Sequence, residues 1–153
     1  MSHLQVMFDP KTIALIGATE KEGAVGRIIL ENLLQSKNRR IFPINPYKDR
    51  VLDVASYSSI AGTPEPVELA VVATPAWSVP GVIEECGQAG VEGVIIISAG
   101  FKEVGAEGTK LEGRIDELRE KYGMRIMGPN CLGFVRPSLS LNATFLRNNP
   151  PPR

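Results

Sequence analysis

Four short apolar runs in this chain each stop at a turn built from Gly, Asn, Pro or small residues. That punctuation narrows the fold more than any other feature. The turns are Gly17-Ala18-Thr19 with Gly23 and Gly26 just beyond, Asn45-Pro46-Tyr47-Lys48, Ser98-Ala99-Gly100-Phe101 and Gly128-Pro129-Asn130-Cys131-Leu132-Gly133. Continuous apolar runs, unlike alternating ones, read as strands covered on both faces. Such strands, each delivering a loop to the same edge, form a parallel sheet, and open α/β sheets bind ligands beyond that edge. The chemistry is therefore expected in a loop-lined crevice, with a ligand that carries phosphate.

The segments between the runs read as helices. Thr12 to Ile16 is the first strand, and a helix follows from about Val25 to Gln35, with Gly26, Ile29, Leu30 and Leu33 on one face. Ile41 to Ile44 is a second strand, which Pro43 places at an edge. Residues 45–67 read as a loop with one helical turn near Ser58 to Ala61. Glu68 to Thr74 is the third strand. Ser78 is expected to N-cap the next helix, whose inward face is Val79, Val82, Ile83 and Cys86. Gly93 to Ile97 and Met124 to Met127 are the fourth and fifth strands. They flank a helix from about Thr109 to Tyr122, capped by Gly123, in which Gly113 costs about 1 kcal/mol against alanine. Leu132 to Val135 is a further short strand. Strand and helix alternate, so the expected fold is α/β: a single-domain, Rossmann-like, doubly wound parallel sheet. The domain is expected over residues 1–147, with 148–153 the start of a Pro-rich linker.

The chain has 153 residues, and Lys plus Arg balance Asp plus Glu at 17 each. No general attraction to nucleic acid or to an anionic membrane follows. No run of ~20 apolar residues is present, and residues 1–9 lack the pattern of a secretory signal. A cytoplasmic protein with reduced thiols is the expectation. The two cysteines, Cys86 and Cys131, are read as buried and inert, since free Cys is commonly buried, and the single histidine, His3, sits near the terminus and does not stand by to activate Cys131 as a nucleophile. No metal-ligand spacing and no Ser-His-Asp arrangement exist, so no catalytic and no metal-binding residue is assigned.

The first loop is the best phosphate candidate, since a helix N-terminus presents free N–H groups and a partial positive charge. The same glycines would also serve a plain strand-to-helix turn. The dinucleotide fingerprint G-x-G-x-x-G is absent, and Asn45-Pro46-Tyr47-Lys48 stands where NAD-binding domains carry an acidic residue. Both features count against an NAD(P)-dependent oxidoreductase. Lys48 suits a phosphate or an adenine ring, or is simply solvated. Ser98, Ala99 and Gly100 leave room for a ligand or form a tight turn. Asn130 offers a donor and an acceptor to the crevice.

Taken together, these motifs resemble the CoA-binding domain of the nucleoside-diphosphate-forming acyl-CoA synthetases. That group includes the ADP-forming acetyl-CoA synthetases and, more distantly, the α subunit of succinyl-CoA synthetase. The resemblance runs from about Phe8 to Phe145 and rests on Ile13 to Ala18, Pro43 to Pro46, Ile97 to Glu103, Gly128 to Gly133 and Leu141 to Phe145. It implies a domain that binds CoA or acyl-CoA and aims the thiol at an acyl phosphate, while phosphohistidine-bearing and ATP-grasp domains, in cis or in trans, complete an acid–thiol ligase. This chain alone would then bind without catalysing.

By position, the resemblance implies that Gly17, Ala18, Thr19, Gly23, Val25, Gly26 and Arg27 cradle the phosphates, helped by Lys21. Asn45, Pro46 and Lys48 would meet the nucleotide end. Pro75, Ser98, Ala99 and Gly100 would border the pantetheine arm, with Asn130 and Cys131 near the thiol. Asp53 departs from a glycine common in the family, which puts the local turn in question. A regulatory CoA or nucleotide sensor, as in acyltransferase fusions, is the alternative reading.

Overall fold

The computed structural model describes residues 3–147. Along the chain, α1 (His3–Phe8) leads into β1 (Thr12–Ile16), α2 (Val25–Leu33) and β2 (Arg40–Ile44). The short strands β3 (Arg50–Val51) and β4 (Val54–Ala55) form a hairpin. Then come β5 (Leu69–Val72), α3 (Val79–Gln88), β6 (Gly93–Ile96), α4 (Ala106–Tyr122) and β7 (Arg125–Met127). A second hairpin, β8 (Gly133–Arg136) with β9 (Leu141–Thr144), closes the described chain.

The five long-range strands pair in parallel in the order β2-β1-β5-β6-β7. Every residue of β1 is buried. Its side chains divide by the period of two that a strand imposes. Ile13 and Leu15 join Met7 of α1 and Ile29, Leu30 and Leu33 of α2 on one face. Ala14 and Ile16 join Val79, Ile83 and Cys86 of α3 and Ile115 and Leu118 of α4 on the other. Helices on both faces make the sheet doubly wound, as the alternation of elements predicts. Pro43 stands in register with Leu15 on β2, an edge strand, where a missing N–H is tolerated.

Several local expectations need correction. The terminal segment read only as lacking a signal forms α1, with Val6 and Met7 buried. The loop 45–67 contains the β3–β4 hairpin and a 3₁₀ turn over Ile60–Gly62. Asp53 does not spoil its turn: Leu52 and Asp53 take φ of 49° and 61°, the left-handed pair that a two-residue hairpin needs. Ser78 is not an extended N-cap. A 3₁₀ turn over Ala76–Ser78 leads straight into α3, so Ser78 sits at φ −86°, ψ −17° and its hydroxyl donates to the Pro75 carbonyl at 2.6 Å. α4 begins at Ala106, earlier than expected, and ends on Gly123 at φ 64° as expected. The Pro-rich tail lies outside the described residues.

Candidate functional site

The chain turns at Gly17 directly after β1. Its φ is +99°, and a Cβ there would lie 2.7 Å from the Ala73 carbonyl oxygen. Only glycine holds that conformation beside a neighbouring strand without strain. Gly26, in the first turn of α2, touches the same loop: a Cβ on it would lie 2.0 Å from the Gly17 oxygen. The helix therefore starts against the loop. Its N-cap, Ala24, makes no side-chain cap hydrogen bond. The Thr19 hydroxyl accepts from the Lys21 N–H at 3.1 Å and fixes the loop instead. An uncapped helix start beside an open loop favours an anion. Ala18 is buried under this loop, while Gly23 and Val25 are exposed.

Cations surround this start. Lys48 Nζ lies 3.1 Å from Glu20 Oε2, and Glu20 Oε1 accepts from the Leu52 N–H at 3.0 Å. The bond from Lys48 is the chief reason the Glu20 carboxyl sits below its usual range. Arg27 pairs with Glu31 at 2.8 Å and donates to the Glu20 carbonyl at 2.5 Å. Lys21 is exposed and has no ion pair among the described residues. Asn45, expected at the nucleotide end of a ligand, works on the backbone. Its Nδ2 donates to the Ala18 carbonyl at 3.0 Å and its Oδ1 accepts from the Tyr47 and Lys48 N–H groups at 2.8 and 3.2 Å. It ties the end of β2 to the glycine loop. Pro46 is exposed on the turn that follows β2.

Beyond β5, β6 and β7 the loops enclose a cavity of about 580 Å³. Six residues expected at the site line it: Val25, Pro75, Ser98, Ala99, Asn130 and Cys131. Sequence reasoning did not single out Ala73, Thr74 and Ile97. These are the ends of strands already recognised, so the fold rule carried the signal. Leu132 and Phe145 also line it. They lay inside quoted motifs but were given no role. Gly100 is not in the lining. Its N–H, with that of Phe101, donates to Glu103 Oε1 at 2.5 and 3.0 Å. The Gly100 bond leads in holding the Glu103 carboxyl below its usual range.

Two polar groups of the cavity bond within the protein. Ser98 Oγ donates to the Thr74 carbonyl and the Asn130 N–H to the Ser98 carbonyl at 2.9 Å. Asn130 is exposed, with φ 54°.

The two cysteines part company. Cys86 is fully buried in the core, where burial pushes its thiol up to about 12. Cys131, expected to be buried, is half-buried and lines the cavity. Its thiol lies 3.3 Å from the Ile96 carbonyl, and burial raises its pKa. Neither is an activated nucleophile. No group of three His, Cys, Asp or Glu among the described residues could hold a metal. A second cavity, of about 570 Å³, opens between the segment 59–67 and the C-terminal end of α3. It lies at the opposite edge of the sheet from the loops.

The family model described as the CoA binding domain matches residues 11–137. The ADP-forming acetate–CoA ligase I of Archaeoglobus fulgidus is 44% identical over 147 residues, 96% of this chain and 21% of that protein. The α subunit of the corresponding ligase I of Pyrococcus furiosus is 44% identical over 148 residues, 93% of this chain and 32% of that subunit. Among solved structures, a dinucleotide-forming acetyl-coenzyme A synthetase 1 of Ca. Korarchaeum cryptofilum, in complex with phosphate and ADP, superposes with a TM-score of 0.88. It is 38% identical, over 95% of this chain and 31% of that one. The chain thus spans about a fifth to a third of the length of these relatives.

Proposed function

The chain belongs to the family of CoA-binding domains, and we propose that it is the CoA-holding part of an ADP-forming acyl-CoA synthetase. The observation that carries this reading is the division of the crevice into two unlike halves. One half holds the uncapped start of α2 with Lys21, Arg27 and Lys48 close by in the chain or on the neighbouring strand end. The other is a cavity of about 580 Å³ with no charged residue in its lining. CoA is built the same way, with a polyanionic nucleotide at one end and a neutral pantetheine arm at the other.

In this reading the diphosphate lies on the first turn of α2, over Gly17, Ala18, Thr19, Gly23 and Gly26. Lys21, which has no ion pair among the described residues to give up, meets a phosphate first. Lys48 and Arg27 reach one by exchanging Glu20 and Glu31, and exposed ion pairs of that kind are worth only about 0–1 kcal/mol. Asn45 and Pro46 keep the loop in place. The arm runs past Pro75, Ser98 and Ala99, and the thiol ends near Asn130 and Cys131.

The chemistry follows from that placement. The CoA sulfur attacks the carbonyl carbon of an acyl phosphate, the new C–S bond replaces the single bond from that carbon to the phosphate oxygen, and phosphate leaves with the thiol proton. A phosphohistidine-bearing domain and an ATP-grasp domain, fused or as a separate subunit, make the acyl phosphate by passing the terminal phosphoryl group of ATP through the histidine to the carboxylate, which leaves ADP. The residues of this chain bind, orient and partly dehydrate the thiol, and supply no acid or base to the step.

Isothermal titration of the chain with CoA, dephospho-CoA and NADH tests the assignment. CoA should bind saturably. Loss of the 3′-phosphate should weaken binding about tenfold or more, the worth of one charge-assisted contact. NADH should not compete. NADH binding with no response to CoA would overturn the reading.

A further inference from the structure

We infer that the basic cavity at the far edge of the sheet, where Lys11, Lys37 and Arg39 meet the turn between β8 and β9, is a second anion site that takes a phosphate group, free or at the end of a nucleotide. The inference stands apart from the CoA assignment. Lys11 precedes β1 and Arg39 precedes β2, whereas Gly17 and Asn45 follow those strands. The two strands are parallel and five residues long, so the two sites lie roughly 16 Å apart, at opposite ends of the sheet.

Three observations carry the inference. The first is charge. The cavity holds about 440 Å³, and its lining sets Lys11, Lys37 and Arg39 against one carboxylate, Asp9. That leaves an excess of two positive charges on a chain whose net charge is zero. Asp9 already serves two of the three cations: it pairs with Arg39, and Lys11 Nζ lies 3.6 Å from it. Lys37 is exposed and has no ion pair among the described residues. The cavity along α2, by contrast, sets Arg27 and Arg147 against Glu22 and Glu31 and carries no excess.

The second is the buried guanidinium. Arg39 exposes 4% of its side chain, so it forms the floor of the cavity and not its rim. Nη1 donates to the Ser36 hydroxyl at 2.9 Å and to the Leu139 carbonyl at 3.4 Å, and Nη2 donates to Asp9. Nε is buried and has no hydrogen-bond partner among the described residues. A buried N–H on a charged group is costly to leave unpaired and favours an acceptor brought in from outside. A water would accept that bond, but only an anion also meets the excess charge.

The third is the character of the walls. Ser138 and Ser140, both exposed, bring hydroxyls from the turn between β8 and β9. Guanidinium, ammonium and hydroxyl donors on several sides suit a tetrahedral dianion better than a planar carboxylate or an apolar molecule. The lining holds no aromatic ring to stack on a base, so the phosphate group itself is what the cavity recognises.

The test follows the amide and Arg39 Nε–H resonances of the 153-residue chain as sodium phosphate or ADP is added, with sodium chloride at equal ionic strength as the control. Phosphate should bind saturably, with a Kd of about 1 mM or lower, and should shift residues 9–11, 36–40 and 138–140 together with the Arg39 Nε–H. Whichever of phosphate and ADP saturates these shifts at the lower concentration identifies the source of the group. CoA at saturation should leave the shifts in place. Lys37→Gln should weaken binding about fivefold to tenfold, and Lys11→Gln combined with Lys37→Gln should abolish it. Both lysines are exposed, so both variants should melt close to the parent.

Shifts that chloride reproduces, that CoA displaces or that survive in the double variant would overturn the inference. So would phosphate that moves only residues 17–27, which would put the anion at α2 and leave the CoA assignment standing. Far-edge shifts in a chain that does not bind CoA would support this site and overturn the CoA assignment alone.

Discussion

At the scale of single residues, Gly17 carries the clearest demand. It needs a positive φ, and it needs an empty space where a Cβ would press on the Ala73 carbonyl. Gly17→Val should cost about 1–3 kcal/mol in backbone strain alone. The loop must then shift away from α2, so CoA binding should vanish in a titration while the thermal midpoint falls by several degrees. Unchanged binding would mean that the loop does not form the phosphate cradle. The need for glycine here was legible in the sequence, because the residue ends an apolar strand and precedes a helix. The task of Asn45 was not. Its position near the site could be read, but its side chain spends its hydrogen bonds on Ala18, Tyr47 and Lys48. A hydrogen-bonding side chain states what it can offer and leaves open where it points. Cys131 is a similar case: its type suggested burial, and only the course of the loop after β7 brings it to the cavity wall.

At the scale of elements, α2 joins two parts of the molecule. Its apolar face, read from the helical period, packs on the sheet. Its buried Asn32 does something the period does not reveal. Asn32 Nδ2 donates to the Thr144 carbonyl and to the Leu146 carbonyl, each at 2.8 Å. These bonds hold the end of β9, and through it the segment that carries Phe145, against the helix. Asn32→Ala should leave those carbonyls short of a donor and cost about 1–3 kcal/mol, read from urea unfolding. Amide exchange should rise first over residues 141–146. A rise spread evenly over the sheet would show that the link is not local to β9. β9 itself was missed as a strand. It pairs only with β8, and the hairpin depends on the face of α2 for cover.

At the scale of the whole molecule, Asp9 and Arg39 fasten the segment between α1 and β1 to the approach of β2. Arg39 has 4% of its side chain exposed, pairs with Asp9, and also donates to the Ser36 hydroxyl at 2.9 Å. Burial alone would raise the Asp9 carboxyl, but the hydrogen bond from Arg39 and the charges of Lys11 and Arg39 outweigh it, and the net shift is downward. A carboxyl lowered on folding adds stability that is present above its unfolded pKa, near 3.9, and is lost as pH falls through the lower folded value. Asp9→Asn should therefore cost about 1.5–3 kcal/mol at pH 7. The gap from the parent should close as the pH drops from 5 toward 2, followed by urea midpoints across that range. A gap that does not depend on pH would rule out the ion pair as its source.

The parallel strands, the two-sided core and the Gly17 turn were determined by the sequence alone, because each is written in residues adjacent in the chain. Burial on both faces leaves an unbroken apolar run, and a positive φ leaves a glycine. The strand order, the meeting of Val25, Ser98, Cys131 and Phe145 around one cavity, and the pairing of Lys48 with Glu20 were decided only by the tertiary structure. Those features depend on which distant segments come together. A local pattern records how a residue suits its own backbone and its own burial, and carries no record of the partner that folding will bring to it.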